Sequence, residues 1–109
     1  MIHFGLKYVL VGQTPVIEPD VEKWARWYER SMVDGSSIVA RTEVGASLIS
    51  TVFLGLNHRF TGDGLPLLFE TMIFTDGAPE DFQRRCSTWQ EAEAQHKRAV
   101  QERQAAWKK

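Results

Sequence analysis

The sequence predicts an α+β fold, an antiparallel β-meander of about four to five strands with two helices packed on one face. Three features point to it. Apolar residues dominate three long runs of β-forming sequence between positions 37 and 74, and recur every three to four residues in two other stretches. The connections between the β-type runs are too short for the crossovers that parallel pairing needs. Strands grouped between helices, in the order β-β-α-β-β-β-α, leave one sheet face for the helices to cover.

Tyr8 to Val11 and Pro15 to Ile17 are short β-type segments around Gly12-Gln13-Thr14, readable as a narrow hairpin or as one irregular edge strand. In EPDVEKWARWYERSM, Val21, Trp24, Ala25, Tyr28 and Met32 gather on one face of a helix. Asp20 suits its N-cap, and Asp34-Gly35 its stop. Trp27 falls about 60° from the middle of that stripe. Trp24 and Trp27 are therefore either core residues or an aromatic patch facing a partner.

Ser37 to Glu43 and Ala46 to Leu56 read as strands joined at Val44-Gly45, where glycine supplies the positive φ of a tight turn. Leu67 to Phe74 is a third long strand, and Asp76 to Arg85 (DGAPEDFQRR) reads as a polar loop. Thr88 and Glu91 then form a capping box, which opens a second helix. Trp89, Ala92, His96, Ala99 and Val100 are its stripe, and its tail at Trp107-Lys108-Lys109 is expected to fray.

The central segment TVFLGLNHRFTGDGLPLLFETMIF is apolar on both sides of a glycine-rich loop. Pairing about the middle of that loop sets Leu54 against Phe69 and Val52 against Thr71 on one surface. The other surface then holds Phe53 with Glu70, Thr51 with Met72 and Ile49 with Phe74. In this register one surface lies under the helices, while Ile49, Phe53, Leu68, Met72 and Phe74 form an exposed apolar patch of interface size. These five, with Trp24 and Trp27, are the interface candidates, for a host protein or for a second copy in a homodimer.

A chain of 109 residues makes one domain, spanning 1–109. Thirteen basic and 14 acidic side chains give a net charge of −1, so no global field draws the chain to nucleic acid or to an anionic membrane. A single cysteine, Cys86, excludes an intramolecular disulfide and a thiolate zinc cluster, and suits a cytoplasmic location. No signal-peptide pattern and no membrane-spanning run is read.

Glu70 is the one ionisable residue within its strand, and a buried carboxylate must be paired or neutralised. His58, Arg59 and Asp63 could cluster beside it, a set suited to acid–base or phosphate chemistry and equally to an ion pair that holds the hairpin. The G-x-G of the loop links strands and opens no helix, so it is a weak phosphate motif. His3, His58 and His96 show no ligand spacing; no metal and no cofactor is expected. Cys86 precedes a helix but has no identifiable base. Arg84, Arg85, Lys97, Arg98, Arg103, Lys108 and Lys109 alternate with glutamates, which reads as a solvated face more readily than as a nucleic-acid stripe.

The blocks WARW (Trp24 to Trp27), STVFLGLNH (Ser50 to His58), LLFETMIF (Leu67 to Phe74) and STWQEAEA (Ser87 to Ala94) resemble a group of short uncharacterised proteins of tailed bacteriophages and prophages. The likeness runs from about Trp24 to Val100. It implies a phage gene expressed in bacterial cytoplasm, where small accessory proteins bind and block host or defence proteins; it implies no catalytic residue. The leading expectation is thus a non-enzymatic accessory protein acting through a protein interface. Alternatives are a small enzyme or nucleotide-binding protein using His58, Arg59, Asp63 and Glu70, and a nucleic-acid binder using the basic C-terminal helix.

Overall fold

A computed structural model describes residues 6–59, 62 and 64–107. Its architecture is the α+β arrangement: β1 (Tyr8–Val11), β2 (Thr14–Ile17), α1 (Val21–Asp34), β3 (Ile38–Val44), β4 (Ser47–Phe53), β5 (Phe69–Thr75), β6 (Ala78–Cys86) and α2 (Trp89–Trp107). β1 and β2 form a separate two-stranded hairpin, and β3-β4-β5-β6 a four-stranded antiparallel meander. The N-terminal pair is therefore a hairpin and not one irregular strand, with Val11 opposite Thr14 across the turn.

Local chemistry explains the element ends. Asp20 Oδ1 accepts from the amides of Glu22 at 3.0 Å and Lys23 at 3.1 Å, which satisfies two of the free donors at the start of α1. Gly35, at φ 79°, ends that helix. Thr88 and Glu91 close the capping box in both directions, each side-chain oxygen accepting from the other residue's amide at 3.1 Å.

Asp76 to Arg85, expected as a polar loop, is instead a turn and a strand. Asp76 and Gly77 take φ values of 52° and 81°, the pair of left-handed conformations that lets a two-residue turn match strand twist. β6 then pairs with β5 from Ala78 to Cys86. Its charged residues obscured it: among the described residues one margin of β6 has no neighbouring strand, and polar side chains suit such an edge.

The register of β4 and β5 is one residue away from the expected one. Phe53 faces Phe69, Thr51 faces Thr71 and Ile49 faces Ile73. All six residues thereby turn toward α2, and with a side-chain period of two the single-residue slip exchanges the faces. Ile49, Phe53 and Leu68, expected on the exposed patch, are core residues at 0%, 2% and 2% exposure. Met72 and Phe74 do lie on the opposite face, opposite Ser50 and Leu48. The loop, not strand propensity, sets this: Leu54 donates to Leu68 O, His58 donates to Leu67 O, and Asn57 Oδ1 accepts from the amides of Arg59 and Leu67.

α2 lies along the sheet with the small residues Ala92 and Ala99 fully buried against it, which lets the helix approach closely. α1 reaches the same side only at one end, where Trp27 packs its edge on Phe53, rings 5.8 Å apart. Trp24 stacks on Tyr28, and its indole N–H donates to Tyr8 O at 3.1 Å. Gly55 makes room for this pair: a Cβ there would meet Tyr28 at 3.1 Å. Both tryptophans are thus committed to packing, and the inward face of α1 is half-buried Trp24, Trp27 and Tyr28 with buried Ser31. Val21 and Met32, assigned to the stripe from spacing, are 58% and 64% exposed, because the inward face is centred nearer Trp27 and Ser31, about 70–90° around the helix from them.

Candidate functional site

Three places in the fold have the makings of a site: the sheet face opposite α2, a groove between β3 and α2, and a chain of buried polar side chains beneath α2.

The face opposite α2 follows from the register. β4 presents Leu48, Ser50 and Val52, and β5 presents Glu70, Met72 and Phe74. Leu48, Val52, Met72 and Phe74 are partly exposed, and together with Arg41 they line a hollow of about 460 Å³. Glu70 sits in it at 8% exposure, paired across the sheet with Arg85, whose Nε donates to its carboxylate at 2.9 Å. A carboxylate so enclosed needs that partner, since an unpaired buried charge costs several kcal/mol. Arg85 comes from the segment read as a loop, so sequence spacing did not offer it as the partner; the Asp76-Gly77 turn was the available signal.

The residues grouped as a catalytic candidate have structural duties. His58 Nδ1 lies 2.9 Å from Leu56 O, and Arg59 Nε donates to Leu65 O at 2.8 Å, both ties within the β4–β5 loop. Glu70 is held by Arg85. Asp63 lies outside the described residues, as does His3. Among the described residues no three or more His, Cys, Asp or Glu gather where a metal could be held. No helix of the described residues is long and apolar enough to cross a membrane.

Three of the basic residues of β6 and α2, Arg84, Arg85 and Arg103, are paired with carboxylates. Arg84 makes two bonds to Glu102, and Arg103 pairs with Glu80, which also accepts from Thr75. These ties hold Glu80 and Glu102 below the ordinary carboxylate pKa. Cys86 lies opposite Phe69 and packs against the core cluster to which Phe69 belongs, and burial, with Glu91 nearby, pushes its thiol up to about 11, opposite to the activation a nucleophile needs.

His96, expected to pack at the core edge, is the centre of the buried polar chain. Its Nδ1 lies 2.8 Å from Thr51 Oγ1 and its Nε2 2.8 Å from Thr42 Oγ1. Thr51 Oγ1 meets Thr71 Oγ1 at 2.7 Å, and Gln95 Nε2 donates to Thr71 at 3.0 Å and to Arg84 O at 3.0 Å. One order of donation serves this line: Gln95 to Thr71, Thr71 to Thr51, Thr51 to Nδ1, and the Nε2 hydrogen to Thr42. That order needs a neutral imidazole. Burial lowers the His96 pKa accordingly.

The groove beside this chain, about 770 Å³, runs between the outer strand β3 and α2, with Val39, Ala40 and Val100 as its apolar lining and Thr42 and His96 at its base. Comparisons with known proteins found no matching family model, no matching curated protein and no matching solved structure.

Proposed function

We propose that the protein is a non-enzymatic binding protein that works as a homodimer, two copies meeting through the sheet faces opposite α2. The observation that carries this reading is the cluster Leu48, Val52, Met72 and Phe74 on a face that α2 leaves bare. A solvent-facing antiparallel strand ordinarily alternates polar residues outward, and here the central strands place apolar ones there.

A second copy is the occupant favoured by charge. Arg41 and Arg85 on this side stand among Glu43 and Glu70, so the face carries charges of both signs and can complement itself under two-fold rotation. Four strands of about seven residues span roughly 19 by 23 Å, a footprint of roughly 450 Å² per copy. Side-chain relief raises the accessible area removed toward the ~1,200 Å² total of small specific interfaces.

The resemblance to phage and prophage proteins supplies the context for this reading, a small accessory protein that holds another protein in the bacterial cytoplasm. The dimer is tested by sedimentation of the wild type and of Val52→Asp, with far-UV circular dichroism as the fold control. The wild type is expected to sediment as a dimer and the folded variant as a monomer. A wild type that stays strictly monomeric at high concentration removes the proposal.

A further inference from the structure

The two edges of the sheet differ in how they meet solvent. β6 carries Pro79 and a register shift opposite Ile73, and its arginines are drawn aside by Glu70 and Glu102. Proline, bulges and charges are the devices that keep a further strand from adding to an edge. β3 has a shift near its start, between Ile38 and Ala40, and then runs in unbroken register from Ala40 to Val44.

The turn decides which backbone groups of β3 are free. Gly45 and Ala46 form a two-residue connection, so the flanking Val44 and Ser47 are a hydrogen-bonded pair. Bonded and non-bonded pairs alternate along antiparallel strands, so Thr42 and Ala40 also direct their amides and carbonyls to β4. Arg41 and Glu43 direct theirs outward, over the margin of the groove.

Charge on the groove's helix side adds a second feature. Glu93 and Lys97 line it, are exposed, and make no ion pair with any described residue. They stand one helical turn apart, about 6 Å along the axis. Alternate residues of a strand are about 6.7 Å apart, so two groove-facing side chains of an added strand match the two charges.

We propose that this groove binds an extended peptide segment of another protein, which joins β3 as a fifth, antiparallel strand. The peptide's backbone bonds the outward groups of Arg41 and Glu43. Its residue opposite Thr42 faces the groove and carries a carboxylate toward Lys97. Two residues later a basic side chain reaches Glu93, its aliphatic stem lying over Ala40 and Val39. The recognised pattern is acidic–x–basic. The site is separate from the open sheet face and does not depend on the dimer.

Selection of a random heptapeptide display library on the immobilised full chain tests this, followed by affinity measurements with the enriched peptides as labelled synthetic probes. Enrichment of acidic–x–basic sequences is expected. Glu43→Pro removes the outward donor, an edge position where proline spares the ladder to β4, and is expected to weaken probe binding at least about tenfold. Glu43→Ala keeps the amide and should change affinity by less than about threefold. Hydrogen exchange on the wild type provides a readout independent of variant folding: saturating probe should slow the amides of Arg41 and Glu43. The proposal is overturned if no sequence pattern is enriched, or if probes bind while leaving those amides at their free rates. It is equally overturned if folded Glu43→Pro binds like wild type, or if that variant dissolves a dimer that Glu43→Ala leaves intact, which would make the occupant of the β3 edge a second copy.

Discussion

Thr51→Val removes one hydroxyl from the centre of the buried polar chain and keeps the side-chain shape. Thr51 and Thr71 are both fully buried and His96 is 6% exposed, so water cannot replace what is lost. The substitution leaves His96 Nδ1 without its donor and the Thr71 hydroxyl without its acceptor. Two hydrogen bonds at about 1 kcal/mol each, with part of the penalty for stranded polar groups, place the loss near 2–4 kcal/mol. A domain of this size shifts its midpoint by roughly 4–6 °C per kcal/mol, so thermal unfolding should fall by roughly 10–20 °C. Thr71→Val strands Thr51 in the same way and also Gln95. The double variant is the sharper test: with both hydroxyls gone neither threonine strands the other, while His96 Nδ1 and Gln95 lose their partners as in the single variants, and the combined loss should be smaller than the sum by about 1 kcal/mol. Urea unfolding of the four proteins supplies the cycle. A Thr51→Val protein within about 0.5 kcal/mol of wild type, or strictly additive losses, would refute a continuous chain.

Two further outcomes follow from the same core. The folded pKa of His96 lies below its ordinary 6.5, so as pH falls the unfolded chain takes up the proton first. Stability is then at its full value above about 6.5 and declines as pH drops below it, by at most about 1.4 kcal/mol per pH unit for one proton. Wild type and His96→Gln compared at about pH 7.5 and about pH 5 should converge in stability toward the acid side, and a constant gap between them would count against the assignment. Glu80, whose pKa is lowered by its bonds from Thr75 and Arg103, and Glu102, lowered by Arg84, titrate below that window. The Cys86 thiol, pushed up to about 11 by burial, should alkylate far more slowly than a free thiol near neutral pH. Labelling of native protein as fast as of protein in denaturant would contradict its packing.

Much of the fold was legible from local signals. The Asp20 cap, the Thr88–Glu91 capping box and the Gly35 stop act within a few residues of themselves and occur as read, and the turn read at Val44-Gly45 occurs one residue on, at Gly45-Ala46. β6 was missed because Glu80, Arg84 and Arg85 carry the polarity of a loop; their carboxylate and guanidinium partners lie far along the chain, on β5 and α2. The split between the interface candidates has the same origin. Ile49 and Phe53 differ from Leu48 and Val52 only in parity along β4, and nothing in TVFLGLNHRFTGDGLPLLFETMIF alone chooses between them.

By itself the sequence determined the two helices and the strands other than β6, that the sheet is an antiparallel meander, and that its central strands are apolar on both faces. Only the tertiary structure decided which of those faces α2 covers. Hydrogen bonds to Asn57 Oδ1 and from Leu54 to Leu68 close the long loop one residue away from its midpoint, and one residue is enough to exchange the faces of a strand. The same closure brought Thr51, Thr71 and His96 into line and set Glu70 against Arg85. Such contacts depend on residues 15 to 45 positions apart, a separation at which side-chain identity carries no local trace of its partner.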